Sequence, residues 1–221
     1  EIPPFTDAVA TKHFVYGPLT VNASGKLFLR PTGCSYTCGI SGEGIITNTS
    51  TAGQMLYFET NTPVKVGTAY SFSGLLSPTV QPNFFGVERQ DFLSDNPYNF
   101  SVRCSRGCVG VAKFGNQDEP GSLGTARLGV QNNDTQVPFR FVYLGNGEIS
   151  KRQFRVFGVN PGFVIDGGAF GGLEIAGEIY LTYGLNKSQV LILDGTNASP
   201  CRLSGDIKEA RDYSAFANVA A

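Results

Sequence analysis

The segment Pro138-Phe139-Arg140-Phe141-Val142-Tyr143-Leu144 sets Phe139, Phe141 and Tyr143 against Arg140, Val142 and Leu144. Side chains two apart in an extended chain share a face, so the alternation predicts a strand over 138–144 with an aromatic side turned toward a core. Gln153-Phe-Arg-Val-Phe-Gly-Val159 repeats the pattern less cleanly. The run Val190-Leu-Ile-Leu193 is apolar throughout, which suits a central strand covered on both sides. Further short runs of β-branched and aromatic residues lie between clusters of Gly, Pro, Asn and Asp. They predict strands near 12–16, 25–30, 43–47, 54–59, 64–73, 99–103, 108–114, 125–130, 162–166 and 178–183. Together these read as an all-β fold, an antiparallel β-sandwich of jelly-roll-like form or a barrel.

Helix signals are sparse. Asp206-Ile-Lys-Glu209 resembles a capping box, which predicts a short C-terminal helix over 206–218. The stretch from Ser77 to Asn99, rich in Pro and Asn, reads as a long surface connection, although Phe84, Phe85 and Phe92 are unusual for one. No linker or low-complexity tract divides residues 1–221, so a single β domain is expected.

Seventeen Lys and Arg against eighteen Asp and Glu leave a net charge of −1, which offers no field for phosphate backbones and argues against a nucleic-acid partner. No run of 18 apolar residues exists, so no membrane span is expected. Asn-x-Ser/Thr triplets begin at Asn22, Asn48, Asn99, Asn133, Asn186 and Asn197, six where random placement of these residue types gives about two. The excess points to N-glycosylation and a secreted, extracellular protein. Glu1-Ile-Pro-Pro-Phe5 lacks the basic and apolar regions of a signal peptide, as expected of an already processed chain.

Cys34-Ser-Tyr-Thr-Cys38 and Cys104-Ser-Arg-Gly-Cys108 both read Cys-Ser-x-x-Cys. The spacing is unusual for zinc and an oxidising compartment favours disulfides, so Cys34, Cys38, Cys104 and Cys108 are expected to be bridged. Three pairings are open, and two local bridges are the simplest. Cys201 is left over, as a buried free thiol or as a bond to a partner chain or to one of the four.

Chemistry is thinly represented. The lone imidazole, His13, falls in a predicted strand and reads as structural. Glu174 and Glu178 are the acid/base candidates, with Tyr180 and Tyr183 as ligand-binding candidates on the same predicted sheet. In a regular strand Glu174 and Glu178 share a face about 13–14 Å apart, too far for a glycosidase pair unless Gly177 bulges. Asn116-Gln-Asp-Glu119 and Asp194-Gly-Thr-Asn197 have some calcium-ligand character but read more simply as turns. The eight Lys and Arg between 101 and 160, against four Asp and Glu, read as a solvated face. No metal and no cofactor is called for.

Val21-Asn-Ala-Ser-Gly-Lys-Leu-Phe-Leu29 runs from a glycosylation triplet into a Gly-Lys-aromatic strand. This segment resembles the opening strands of secreted fungal cell-wall glycoproteins of the PhiA-like type. Small accessory glycoprotein subunits of fungal oxidases are a related likeness. The resemblance implies a glycosylated, Gly-rich β-protein of the wall without an assigned active site. The leading expectation is therefore a non-catalytic secreted protein that acts through its surface, as a cell-wall component or an accessory subunit of another secreted protein. Its partner would be that protein or a wall polysaccharide. A carbohydrate-active enzyme or sugar-binding module is the alternative, and a β-barrel cyclase of small molecules a third.

Overall fold

The computed structural model describes residues 13–16, 19–29, 34–37, 39–48, 54–59, 70–76, 80–97, 102–132, 139–158, 163–168, 171–182, 190–195 and 201–210. They wind into a stack of coils, each with up to three strands. The first coil holds β1 (His13–Tyr16), β2 (Leu19–Val21) and β3 (Lys26–Leu29). The second holds β4 (Cys34–Thr37), β5 (Ile40–Gly42) and β6 (Ile45–Asn48), and the third β7 (Gln54–Glu59), β8 (Tyr70–Phe72) and β9 (Leu75–Leu76). In the next two coils, β10 (Val80–Phe92) and β11 (Val102–Val111) each run unbroken across two faces. The three-strand plan then returns with β12 (Leu128–Asn132), β13 (Phe139–Tyr143) and β14 (Glu148–Ser150). It continues through β15 (Phe154–Gly158), β16 (Phe163–Asp166), β17 (Leu173–Ile175), β18 (Ile179–Thr182), β19 (Leu191–Asp194) and β20 (Arg202–Leu203). A last strand, β21 (Ile207–Ala210), begins another coil.

One face of the stack runs β1-β4-β7-β10-β11-β12-β15-β18-β21, and a second runs through β2, β5, β8, β10, β11, β13, β16 and β19. The third is split into β3-β6-β9 and β14-β17-β20. Among the described strands pairing is parallel apart from the contact of Thr37 with Phe58; isolated antiparallel bridges also join Asn96 to Gly121 and Gly121 to Gly124. The architecture is thus a parallel β-helix, and the expectation of an antiparallel sandwich or barrel is overturned. The reason lies in the turns. An antiparallel sheet needs turns that reverse the chain, but those here bend it toward the next face, so that His13 meets Cys34 and Ile179 meets Ile207, a whole coil later. At one such corner Gly42 has φ +105°, and a Cβ there would lie 2.2 Å from the Val21 carbonyl oxygen of the coil beneath.

Register stacks like on like inside the helix. Phe72, Phe92, Val111 and Tyr143 form one interior column across four coils, and all are at most 1% exposed. Val109, Phe141 and Ile165 form a second, and Phe154 and Ile179 a third. The predicted alternation of 139–143 is observed, with Phe139, Phe141 and Tyr143 buried and Arg140 and Val142 half-buried. Rings from different faces meet in the middle, Phe141 with Phe154 at 6.2 Å and Phe114 with Phe141 at 5.8 Å between centroids. Each such side chain contributes about 1.5–3 kcal/mol by leaving water.

Where strands fail, side-chain amides complete the ladder. Gln90, fully buried, accepts from Ile40 N (2.8 Å) and donates to the carbonyls of Ile40 and Tyr70. Asn96 does the same across the gap in the third face, accepting from Leu76 N (2.8 Å) and donating to the Ser122 carbonyl (3.0 Å).

Four other expectations change. The connection expected over Ser77–Asn99 contains the longest strand, β10, whose aromatic residues pair along both neighbours. The helix expected over 206–218 is not formed at its start, because Ile207–Ala210 pairs with β18 as β21; residues 211–218 lie outside the described residues. The Val190–Leu193 run is not central. It lies in the last complete coil, with Val190, Ile192 and Leu193 exposed. Within the basic 101–160 region, Arg152 is completely buried rather than solvated.

Candidate functional site

Glu174 and Glu178 do not form a pair. Glu174 sits in β17 on the third face, and the chain then turns a corner, where Ala176 N and Gly177 N both donate to the Ser150 carbonyl, before Glu178 leads into β18 on the first face. The shared strand assumed for them is interrupted by that corner. Glu174 Oε1 accepts from Ser204 Oγ at 2.6 Å.

Glu178 is the centre of a polar cluster on the outer side of the first face. Its carboxylate accepts from Lys208 Nζ, from the Tyr180 hydroxyl and from Gln153 Nε2 (3.1 Å). These elements converge because of register: Arg155, Tyr180 and Lys208 are consecutive rungs of β15, β18 and β21. Lys208 Nζ also lies 6.0 Å from the centre of the Tyr180 ring. The hydrogen bond from Lys208, then that from Tyr180, holds the Glu178 carboxyl below its ordinary range, and Glu178 in turn raises both Lys208 and the Tyr180 phenol. Glu178 is thus a carboxylate held ionised, unsuited to proton donation. Tyr183 lies outside the described residues.

A second feature escaped the sequence reading. Between the 112–119 loop and the 145–149 turn is an open groove of about 390 Å³, lined among others by Lys113, Asn116, Glu119, Tyr143 and Glu148. Glu148 staples its walls together, accepting from Phe114 N (3.1 Å) and Gly115 N (2.8 Å). Burial raises the Glu148 carboxyl, against the lowering effect of those amides. Behind the groove the Arg152 guanidinium donates to the carbonyls of Asn116, Glu119, Leu123, Gly124 and Ala126, gathering the loop around one cation. Its traces in the sequence are two segments that read as turns, Asn116-Gln-Asp-Glu119 and Gly145-Asn-Gly147-Glu148.

On the second face Arg140 Nη1 bridges Asp166 Oδ2 and Asp194 Oδ2, each at 2.8 Å, and Arg89 pairs with Asp91 beyond Cys108. The Asp194 side chain, weighed above as a calcium ligand, is committed to Arg140 and to Gly195 N. Asn116-Gln-Asp-Glu119 is a turn, with Glu119 N donating to the Asn116 carbonyl and Asp118 at φ +67°. Among the described residues no group of three His, Cys, Asp or Glu side chains is arranged to hold a metal.

Cys108 and Cys201 are free thiols, and burial pushes Cys108 up to about 11. Cys104 and Cys108 both belong to β11, whose pairing with β10 shifts register between these positions. Cys34 lies in β4, in register with His13, and Cys38 falls outside the described residues. Of the glycosylation triplets, Asn22 is exposed at the corner between β2 and β3 and Asn48 ends β6, whereas Asn99, Asn133, Asn186 and Asn197 lie outside the described residues.

No protein-family model, curated protein or solved structure matches the chain.

Proposed function

We propose that this is a secreted, N-glycosylated, non-catalytic protein that works through the sides of its β-helix, as a cell-wall component or an accessory partner of another secreted protein. The observation that carries the reading is the state of Glu178. The best acid/base candidate is held by three donors and kept ionised, while Arg155, Tyr180 and Lys208 stand in a row on a sheet face. Successive coils repeat at about 4.8 Å, so neighbouring rungs of this row offer an extended partner the Tyr180 ring beside the Lys208 ammonium. Glu174 and Glu148 are likewise engaged in hydrogen bonds within the fold.

Wall polysaccharides and secreted proteins presented on a solid support test the proposal. Retention of the intact protein on one of them, weakened several-fold by Tyr180→Ala with Lys208→Ala and unaccompanied by product formation, is the expected result. Cleavage of any of these glycans that disappears in Glu178→Gln would establish an enzyme instead.

A further inference from the structure

Asn146-Gly147 is the only Asn-Gly dipeptide in the chain, and the fold sets it on the rim of the groove. Asn96 and Asn116 are tied down by hydrogen bonds: Asn96 accepts from Leu76 N and donates to Ser122, and Asn116 accepts from Lys151 N (2.9 Å) and donates to Glu119 Oε2 (3.0 Å). Asn146 is exposed, and its carboxamide has no hydrogen-bond partner among the described residues, so it can turn toward the amide nitrogen of Gly147. Gly147 has φ +112°, and the space beside its Cα is open, the nearest atom to an added Cβ being the Gly172 carbonyl oxygen at 3.5 Å. Gly147 N donates to the Tyr143 hydroxyl at 3.1 Å. That hydroxyl faces the Glu148 carboxylate, which, after burial, raises the phenol. A carboxamide carbon, a nitrogen nucleophile, a path for its proton and solvent thus meet in one bend.

The geometry points to Asn146 as a site of self-modification, where the Gly147 nitrogen attacks the Asn146 side chain and Tyr143 and Glu148 take up its proton. The bond from Gly147 N to Asn146 Cγ forms as the amide proton passes to the Tyr143 oxygen and the hydroxyl proton passes to Glu148. The Cγ–Nδ2 bond then breaks, ammonia leaves with a proton returned from Glu148, and a cyclic succinimide remains. Water from the open groove hydrolyses it at either carbonyl, leaving Asp or isoaspartate at position 146. Nucleophile and electrophile belong to adjoining residues, so their encounter costs only local rotations of the bend. Glu148 suits the end of the path because burial raises its carboxyl, against the lowering effect of the Gly115 and Phe114 amides, Lys113 and Arg152; Glu119 lines the same groove. An isoaspartyl product lengthens the backbone by one methylene between Tyr143 and Glu148 and so reshapes this wall of the groove.

Peptide mapping by mass spectrometry of the intact protein, incubated folded over a series of pH values, tests the inference. Asn146 is expected to convert to Asp and isoaspartate while Asn96 and Asn116 stay as amides. The rate should level off once Glu148 is ionised, where an unassisted reaction keeps rising in proportion to hydroxide. Tyr143→Phe, which removes only the hydroxyl, should slow the conversion several-fold and restore that proportionality. An Asn146 that stays intact would overturn the inference. Conversion as fast or faster in Tyr143→Phe would do so too, since the hydroxyl would then merely restrain the amide. If that variant unfolds, the pH profile of the unaltered chain decides, and strict proportionality to hydroxide refutes the proton path.

Discussion

Replacing Arg152 with Met should loosen one loop before it affects the rest of the stack. The Arg152 guanidinium is fully buried and donates to five backbone carbonyls of the 116–126 loop. Contacts to Asn116, Glu119 and Ala126 are partly buried, so water can replace the lost donor there, whereas those to Leu123 and Gly124 are buried. Leaving a buried acceptor unsatisfied costs about 1–3 kcal/mol, and because the Gly124 carbonyl keeps a hydrogen bond from Gly121 N, the Leu123 carbonyl alone sets a loss of about 2 kcal/mol. Methionine keeps most of the side-chain volume and adds little cavity cost. For a chain of this size that loss lowers Tm by roughly 4–8 °C. Thermal unfolding followed by circular dichroism measures it, and hydrogen exchange localises it, with amides of 113–126 losing protection before those of 139–143. Arg152→Lys, which keeps the charge but has three donors in place of five, should fall between. A loss below about 1 kcal/mol for Arg152→Met, or uniform loss of protection, would refute the assignment of this side chain as the organiser of the loop.

Gly168→Ala is expected to destabilise by more than about 2 kcal/mol, because Gly168 has φ +68° and an added Cβ would lie 1.6 Å from the Tyr143 carbonyl oxygen. Denaturant titration measures this, and an unchanged midpoint would mean that the corner adapts. Stability against pH separates two carboxylates of opposite sign. Asp194, held low by Arg140, has a folded pKa below its unfolded one, so its contribution is present above the unfolded value and is lost as pH falls toward the folded one; Asp194→Asn should flatten the acid limb of the curve. Glu148, raised by burial, costs stability once pH exceeds its unfolded pKa, in full above the folded one, and this cost disappears on acidification. Glu148→Gln should therefore steepen the net loss of stability toward acid.

The sequence alone determined that the chain is built of strands and which side chains of many of them face inward. Alternation is a local property, and burial of Phe139, Phe141 and Tyr143 follows from it whatever the neighbouring strand is. The runs at 54–59 and 162–166 coincide with β7 and β16 to within a residue for the same reason. Pairing direction was decided only in three dimensions. A strand covered on one face shows the same alternation in a hairpin and in a coil, and the coil repeat that distinguishes them is uneven: His13 to Cys34 spans 21 residues and Ile179 to Ile207 spans 28. Sites suffered most, because their members come from different coils. Glu174 and Glu178 are neighbours in sequence but stand on different faces, whereas Glu178, Gln153 and Lys208 lie far apart along the chain and share hydrogen bonds. Arg152 looked like one more surface cation. Its burial depends on a ring of carbonyls that exists only after the 116–126 loop has closed around it, and no local pattern encodes such a ring.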